Sequence, residues 1–140
     1  MSDVHDAYEN PLAGRYASDA MKRTFSARFR FTTWRRLWVA LAESEADLGL
    51  PITEAQLDTM RAHAEDIPFD RAKALEGELR HDVMAHIYAF REQCPDAGKV
   101  LHLGATSCFV TDNSEIVQVR EGLLLVARKI RAIMRNLRGF

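Results

Sequence analysis

The sequence predicts an all-α fold. Apolar residues recur at steps of three and four over several stretches, which is the period of one helix face. Most Gly and Pro sit at plausible ends of those stretches. The single alternating run, around Phe29 and Phe31, is too short for a convincing strand.

Residues 1–17 read as irregular, with Asn10-Pro11-Leu12 as a turn. Ser18 or Asp19 caps a short helix through about Phe25. A second helix runs from about Thr33 to Leu48, with Trp34, Leu37, Trp38 and Leu41 on its apolar face. Gly49 and Pro51 stop it. Thr53 and Gln56 form a capping box for a helix to about Ala64. Asp70 caps the next helix, whose stripe is Leu75, Leu79, Val83, Ile87 and Phe90; Gly77 weakens it and Cys94-Pro95 ends it. Residues 95–111 read mostly as loop.

The last segment has the clearest pattern. Ile116, Val119, Leu123, Val126, Ile130, Ile133 and Leu137 alternate steps of three and four, and Val117, Leu124, Ala127 and Met134 run beside them. With Asp112 or Asn113 as cap, this helix is expected to be on the order of 35 Å long. A heptad repeat calls for near-parallel partner helices, and nothing upstream matches its length. The chain is therefore expected to be the front part of a larger protein. The alternative is a small helical interaction module, ended by Gly139, whose last helix pairs with itself.

Composition narrows the function classes. Of the 140 residues, 47% are hydrophobic and 28% charged, as in a globular domain. The net charge of −1 gives no electrostatic case for nucleic acid. The charge is uneven, because 120–138 holds six basic residues and one acid while the rest holds 13 basic and 19 acidic. No apolar run approaches the length of a membrane span. The acidic, polar start does not read as a signal peptide, and a cytoplasmic location is expected. Two cysteines, Cys94 and Cys108, are too few for a disulfide scaffold or a four-Cys zinc site.

Three patches carry more polar chemistry than packing needs. Arg15-Tyr16-Ala17-Ser18 precedes a helix and suits an oxyanion or phosphate, although a surface Arg beside a half-buried Tyr is the plainer reading. Arg80-His81-Asp82-Val83-Met84-Ala85-His86 lies in a predicted helix, where Asp82 and His86 share a face and could pair. His81 and His86, five apart, miss the spacing of two metal ligands on one face, so no metal site is expected. His102-Leu103-Gly104-Ala105-Thr106-Ser107-Cys108, followed by Asp112-Asn113, combines a Gly with two hydroxyls that suit a carboxylate, or is an ordinary capping loop. No Gly-x-Ser-x-Gly elbow supports a hydrolase, and Cys108 has no cation near it in sequence to activate it.

Taken in order, these patches resemble the adenylosuccinate lyases of the fumarase/aspartase superfamily. The likeness also takes in Phe31-Thr32-Thr33-Trp34-Arg35-Arg36-Leu37-Trp38 and Leu48-Gly49-Leu50-Pro51-Ile52-Thr53, and covers nearly the whole chain from Asn10. The Arg-His-Asp-Val-Met-Ala-His and Gly-Ala-Thr-Ser-Cys stretches separate it from argininosuccinate lyase, class II fumarase and aspartase.

The resemblance implies an N-terminal helical domain over 1–111 and, from 112 to 140, the start of the first long helix of a central bundle. It implies β-elimination of fumarate from adenylosuccinate to give AMP, and from the succinyl-carboxamide imidazole ribotide, without a cofactor, in a homotetramer with composite sites. Arg15 and Tyr16 would hold the phosphate. Arg80, His81 and Asp82 would line the nucleotide site, with His81 assisting the proton relay, and Thr106 and Ser107 would bind a succinyl carboxylate. The family's general-acid His and catalytic Ser lie downstream of these residues, so the 140-residue chain by itself is expected to be inactive. A superfamily lyase with a different amine leaving group is the further alternative.

Overall fold

The computed structural model describes residues 10–140, which contain helices and turns and no strand. The part of the irregular stretch expected at 1–9 lies outside the described residues. Within the rest of it, Leu12–Tyr16 form a π-helical turn, and the Asn10 side chain accepts from the Leu12 N–H.

Ser18 starts α1 (Asp19–Thr24) by accepting from the Met21 N–H. Ser26 does the same for Phe29 and starts α2 (Ala27–Asp47). Helix α2 thus begins six residues before the expected Thr33. The Ser26 cap extends it through Arg28 and Arg30, which face solvent and hide the apolar period. The short alternation at Phe29 and Phe31 is helical, and Phe31 packs edge-on against Trp34 one turn later. Gly49, at φ 92°, follows the end of α2. The expected capping box of Thr53 and Gln56 opens α3 (Glu54–Ala62).

The single helix expected from Asp70 to Cys94 is two, α4 (Phe69–Leu79) and α5 (Asp82–Gln93). The break is not at Gly77, which stays helical, but at Arg80, held at φ 54°. The turn folds α4 back on α5, where Ala72 and Leu75 pack against Ala85 and Ala89. Leu79 leaves the expected stripe and is exposed.

After a 3₁₀ turn at Pro95–Ala97 comes α6 (Ser107–Leu137). Thr106 stands at its cap, ahead of the expected Asp112 or Asn113. Those two lie inside the first turns, where the Asn113 amide donates to the Phe109 carbonyl. At 31 residues the helix is about 46 Å long.

The core joins Trp34, Trp38, Leu57, Met60, Val83, Ile87, Phe90 and Val110. Arg35 is buried within it. Its guanidinium donates to the His63 carbonyl (2.5 Å), the Asp66 carbonyl (2.7 Å) and Gln93 Oε1 (2.7 Å), and stacks over Phe90. Burial lowers its pKa to about 10, opposed by Cys94 and Asp66.

The face of α6 that docks on this domain is not the apolar one. Its buried residues are Val110, Ser114, Gln118 and Gly122, four apart along one face. Ser114 accepts from the Trp34 indole at 2.9 Å, and the Gln118 amide donates to the Thr24 carbonyl at the end of α1 at 3.0 Å. At Gly122 a Cβ would stand 3.1 Å from the Phe25 ring. The heptad stripe points away; Ile116, Leu123, Ile130, Ile133 and Leu137 are all exposed.

Candidate functional site

Arg80 is one of two non-glycine residues with left-handed backbone among those described. That conformation costs an L-residue on the order of 1–2 kcal/mol. It turns the chain so that His81 can be extended, at φ −150°, and cap α5. The His81 Nδ1 accepts from the Met84 N–H at 3.3 Å. An Nδ1 that accepts carries no proton, so in the neutral ring the proton sits on Nε2. That nitrogen faces Ser107 Oγ at 3.4 Å, a long contact in which the imidazole donates. The serine O–H then remains free to donate elsewhere.

Asp82 Oδ1 accepts from the Val83 N–H at 2.7 Å and lies 3.7 Å from His81 Nδ1. It does not pair with His86. That imidazole is buried, stacked on Phe31 with centroids 3.8 Å apart and crossed by Trp34. Burial, then the Arg35 charge, push its pKa down to about 4, against Asp82. His86 is a packing residue and His81 a surface one, because the break at Arg80 starts a new helix between them.

Arg80, His81 and Asp82 border an open groove of about 770 Å³, which Lys73, Glu76 and Gly77 of α4 complete. Sequence reasoning did not single out Lys73 and Glu76. They enter only because α4 and α5 form a hairpin.

Thr106 is exposed at the cap of α6 and its side chain makes no cap hydrogen bond. Ser107 begins the helix, so two hydroxyls and unpaired backbone N–H groups meet at the N-terminus of a long helix, a setting that favours a carboxylate. The turn before it holds His102 and Gly104, both at φ 63°. His102 Nδ1 accepts from the Trp38 indole at 3.0 Å. Burial, with Arg91, lowers the His102 pKa. Beneath the turn lies Glu45, whose Oε2 is buried without a partner and whose pKa burial raises.

Arg15 and Tyr16 are exposed on the π-helical turn, with the guanidinium 5.7 Å from the phenol ring. Neither is hydrogen-bonded to the other candidate residues. The structure therefore brings His81 and Ser107 together, with Arg80, Asp82 and Thr106 beside them in the chain, and leaves the Arg15-Tyr16 pair apart. Among the described residues no cluster of three or more His, Cys, Asp or Glu could hold a metal ion. No helix described is long and apolar enough to cross a membrane.

The chain is similar over almost its whole length to several enzymes of one kind. It is 45% identical over 97% of its residues to adenylosuccinate lyase of Saccharomyces cerevisiae, and 42% identical over 91% to that of Schistosoma mansoni. The adenylosuccinate lyase of Pyrococcus abyssi is 32% identical over 91% of the chain. The chain belongs to the adenylosuccinate lyase family. It spans 27–29% of the length of these relatives. No family profile matches it. The all-α fold with its long final helix agrees with the expectation for the helical lyase fold.

Proposed function

We propose that this chain forms the N-terminal part of an adenylosuccinate lyase, contributing one wall of its substrate site. The reaction is β-elimination, in which fumarate leaves adenylosuccinate, or the succinyl-carboxamide imidazole ribotide, as a C–N bond breaks. A base takes the proton beside a carboxylate and an acid protonates the departing nitrogen. Residues 1–111 form the helical domain and 112–140 begin the central bundle. The enzyme is a cytoplasmic homotetramer, and the exposed heptad stripe of α6 supports association with further helices.

The observation that carries this reading is the contact between His81 Nε2 and Ser107 Oγ at 3.4 Å. With Nδ1 accepting from the Met84 N–H, His81 presents its Nε2–H to Ser107. It aligns Ser107 so that the serine proton points to a substrate carboxylate. The Thr106 hydroxyl and the N-terminal amides of α6 add donors around the same charge, which grows as the carbanion-like intermediate forms. Arg80 and Lys73 supply cations to the groove, and Arg15 with Tyr16 holds the phosphate. His81 assists the proton relay; the principal acid and base come from outside these 140 residues.

The test is a chimera in which this chain replaces the matching segment of the Saccharomyces cerevisiae relative, assayed by fumarate release. The chimera is expected to turn over adenylosuccinate. Ser107→Ala and His81→Gln each reduce kcat/KM by about 10²-fold, the loss typical of a removed transition-state donor. The 140-residue chain assayed alone releases no fumarate. Full turnover in both variants would remove the site assignment, and an active chimera that ignores adenylosuccinate but eliminates another amine would move the chain to a different lyase.

A further inference from the structure

The meeting of His81 and Ser107 depends on how the 102–106 turn delivers the start of α6. That turn runs left-handed twice, at His102 and at Gly104. Glycine takes φ 63° without strain, and at Gly104 it is the angle rather than room that demands it, since an added Cβ would lie 3.8 Å from its nearest neighbour, Glu45. Histidine pays for the same angle in strain and so needs something to hold it.

What holds it is Trp38. This side chain is 1% exposed, packed at an angle against Trp34 and Phe90. Its indole N–H can only donate, and it donates to His102 Nδ1 at 3.0 Å, with the two rings crossed at 84°. The bond runs from the buried core face of α2 to the strained residue of the turn. It also fixes the His102 tautomer, leaving the proton on Nε2. Neutrality of the ring, favoured by its burial beside Arg91, keeps the Nδ1 lone pair available.

We propose that Trp38 is a positioning residue whose indole N–H holds His102 and thereby locks the 102–106 turn, so that Thr106 and Ser107 are presented to His81. Its bearing on catalysis rests on the functional reading above, whereas the geometry can be read without substrate.

The experiment is nitrogen-15 NMR of the histidine rings in the 140-residue chain. In the unaltered chain His102 and His81 both show the Nε2–H form. Ser107→Ala supplies the reference spectrum for a His81 that has lost its contact. Three substitutions at residue 102 separate hydrogen bond from backbone. His102→Asn keeps an acceptor near the Nδ1 position and tolerates positive φ; His102→Gly keeps the angle without the acceptor; His102→Ala keeps neither. Under the proposal His81 is unchanged in the Asn variant, and in the Gly and Ala variants it moves to the Ser107→Ala reference. Trp38→Phe gives the same displacement, and if that variant does not fold, the residue-102 series still decides. A wild-type His81 signal in His102→Gly overturns the proposal, as does its loss in His102→Asn. Fumarate release plays no part in this readout, so a failure here and a failure of the lyase reading are separate results.

Discussion

The Trp34 indole donates to Ser114 Oγ across 80 residues of sequence, and both groups are buried. This bond seats α6 on α2. The serine O–H in turn donates to the Thr111 carbonyl, so the hydroxyl both accepts and donates. Ser114→Ala leaves the Trp34 N–H buried and unpaired, which costs about 1–3 kcal/mol. Urea unfolding is expected to show that loss. An unchanged midpoint would mean that α6 is held on the domain by other contacts.

Arg35→Ala is expected to be more damaging than a surface arginine change. It strips donors from the His63 and Asp66 carbonyls and from Gln93, and it opens space beside Phe90. A loss of about 3 kcal/mol follows from removing several buried partners at once. Exposed Arg36, whose partner is Glu65, serves as the control; its removal is expected to cost less than about 1 kcal/mol. Comparable melting losses in the two variants would contradict the role given to Arg35.

The buried His86 makes stability depend on pH. Its folded pKa is about 4, whereas an unfolded histidine titrates near 6.5. Below 6.5 the unfolded chain takes up a proton that the folded one refuses. Its contribution is therefore fully present above about pH 6.5 and is lost as the pH falls towards 4, by about 3 kcal/mol in all. His102, lowered in the same direction, adds to this loss. His86→Phe, which retains an aromatic ring against Phe31, is expected to flatten the slope between pH 6.5 and 4. Denaturant melts across that window check it, and an equally steep slope in the variant would reject the assignment.

The outward stripe of α6 predicts association. Leu123, Ile130 and Ile133 are each more than half exposed along one side of the helix, a continuous apolar surface of the kind that marks an interface. Sedimentation of the 140-residue chain is expected to show concentration-dependent assembly. Leu123→Glu with Ile130→Glu abolishes it while helicity is retained. A wild-type chain that stays monomeric at every concentration would show that the stripe needs other residues to engage.

Much of the fold was legible because its signals are local. Ser18, the Thr53–Gln56 box and Gly49 act within one helical turn, and each marks the end that was read from it. The α4–α5 break was not legible. Gly77 is the weaker helix former, yet the chain turns at Arg80, where packing of Ala72 and Leu75 against Ala85 and Ala89 outweighs the strain of a left-handed arginine. The start of α2 was missed because Arg28 and Arg30 interrupt the apolar period while Ser26 still caps it. Of the candidate residues, the motifs of His81 and Ser107 stood out in sequence, but their contact depends on two turns whose course no local pattern specifies.

The sequence by itself determined that the chain is helical, where most helices end, which short stretches carry polar chemistry, and which family it resembles. Those features depend on residue type and on spacing within a few positions. Only the tertiary structure decided which face of α6 the domain uses. Apolar periodicity picked out the heptad stripe, which the domain leaves exposed, whereas the docking face is the one whose Ser114 and Gln118 complete the hydrogen bonds of Trp34 and Thr24. Partners 80 and 94 residues apart have no shared period to reveal them. Likewise only the fold separated the two histidines of one motif, by placing a strained residue ahead of the first and an aromatic core around the second.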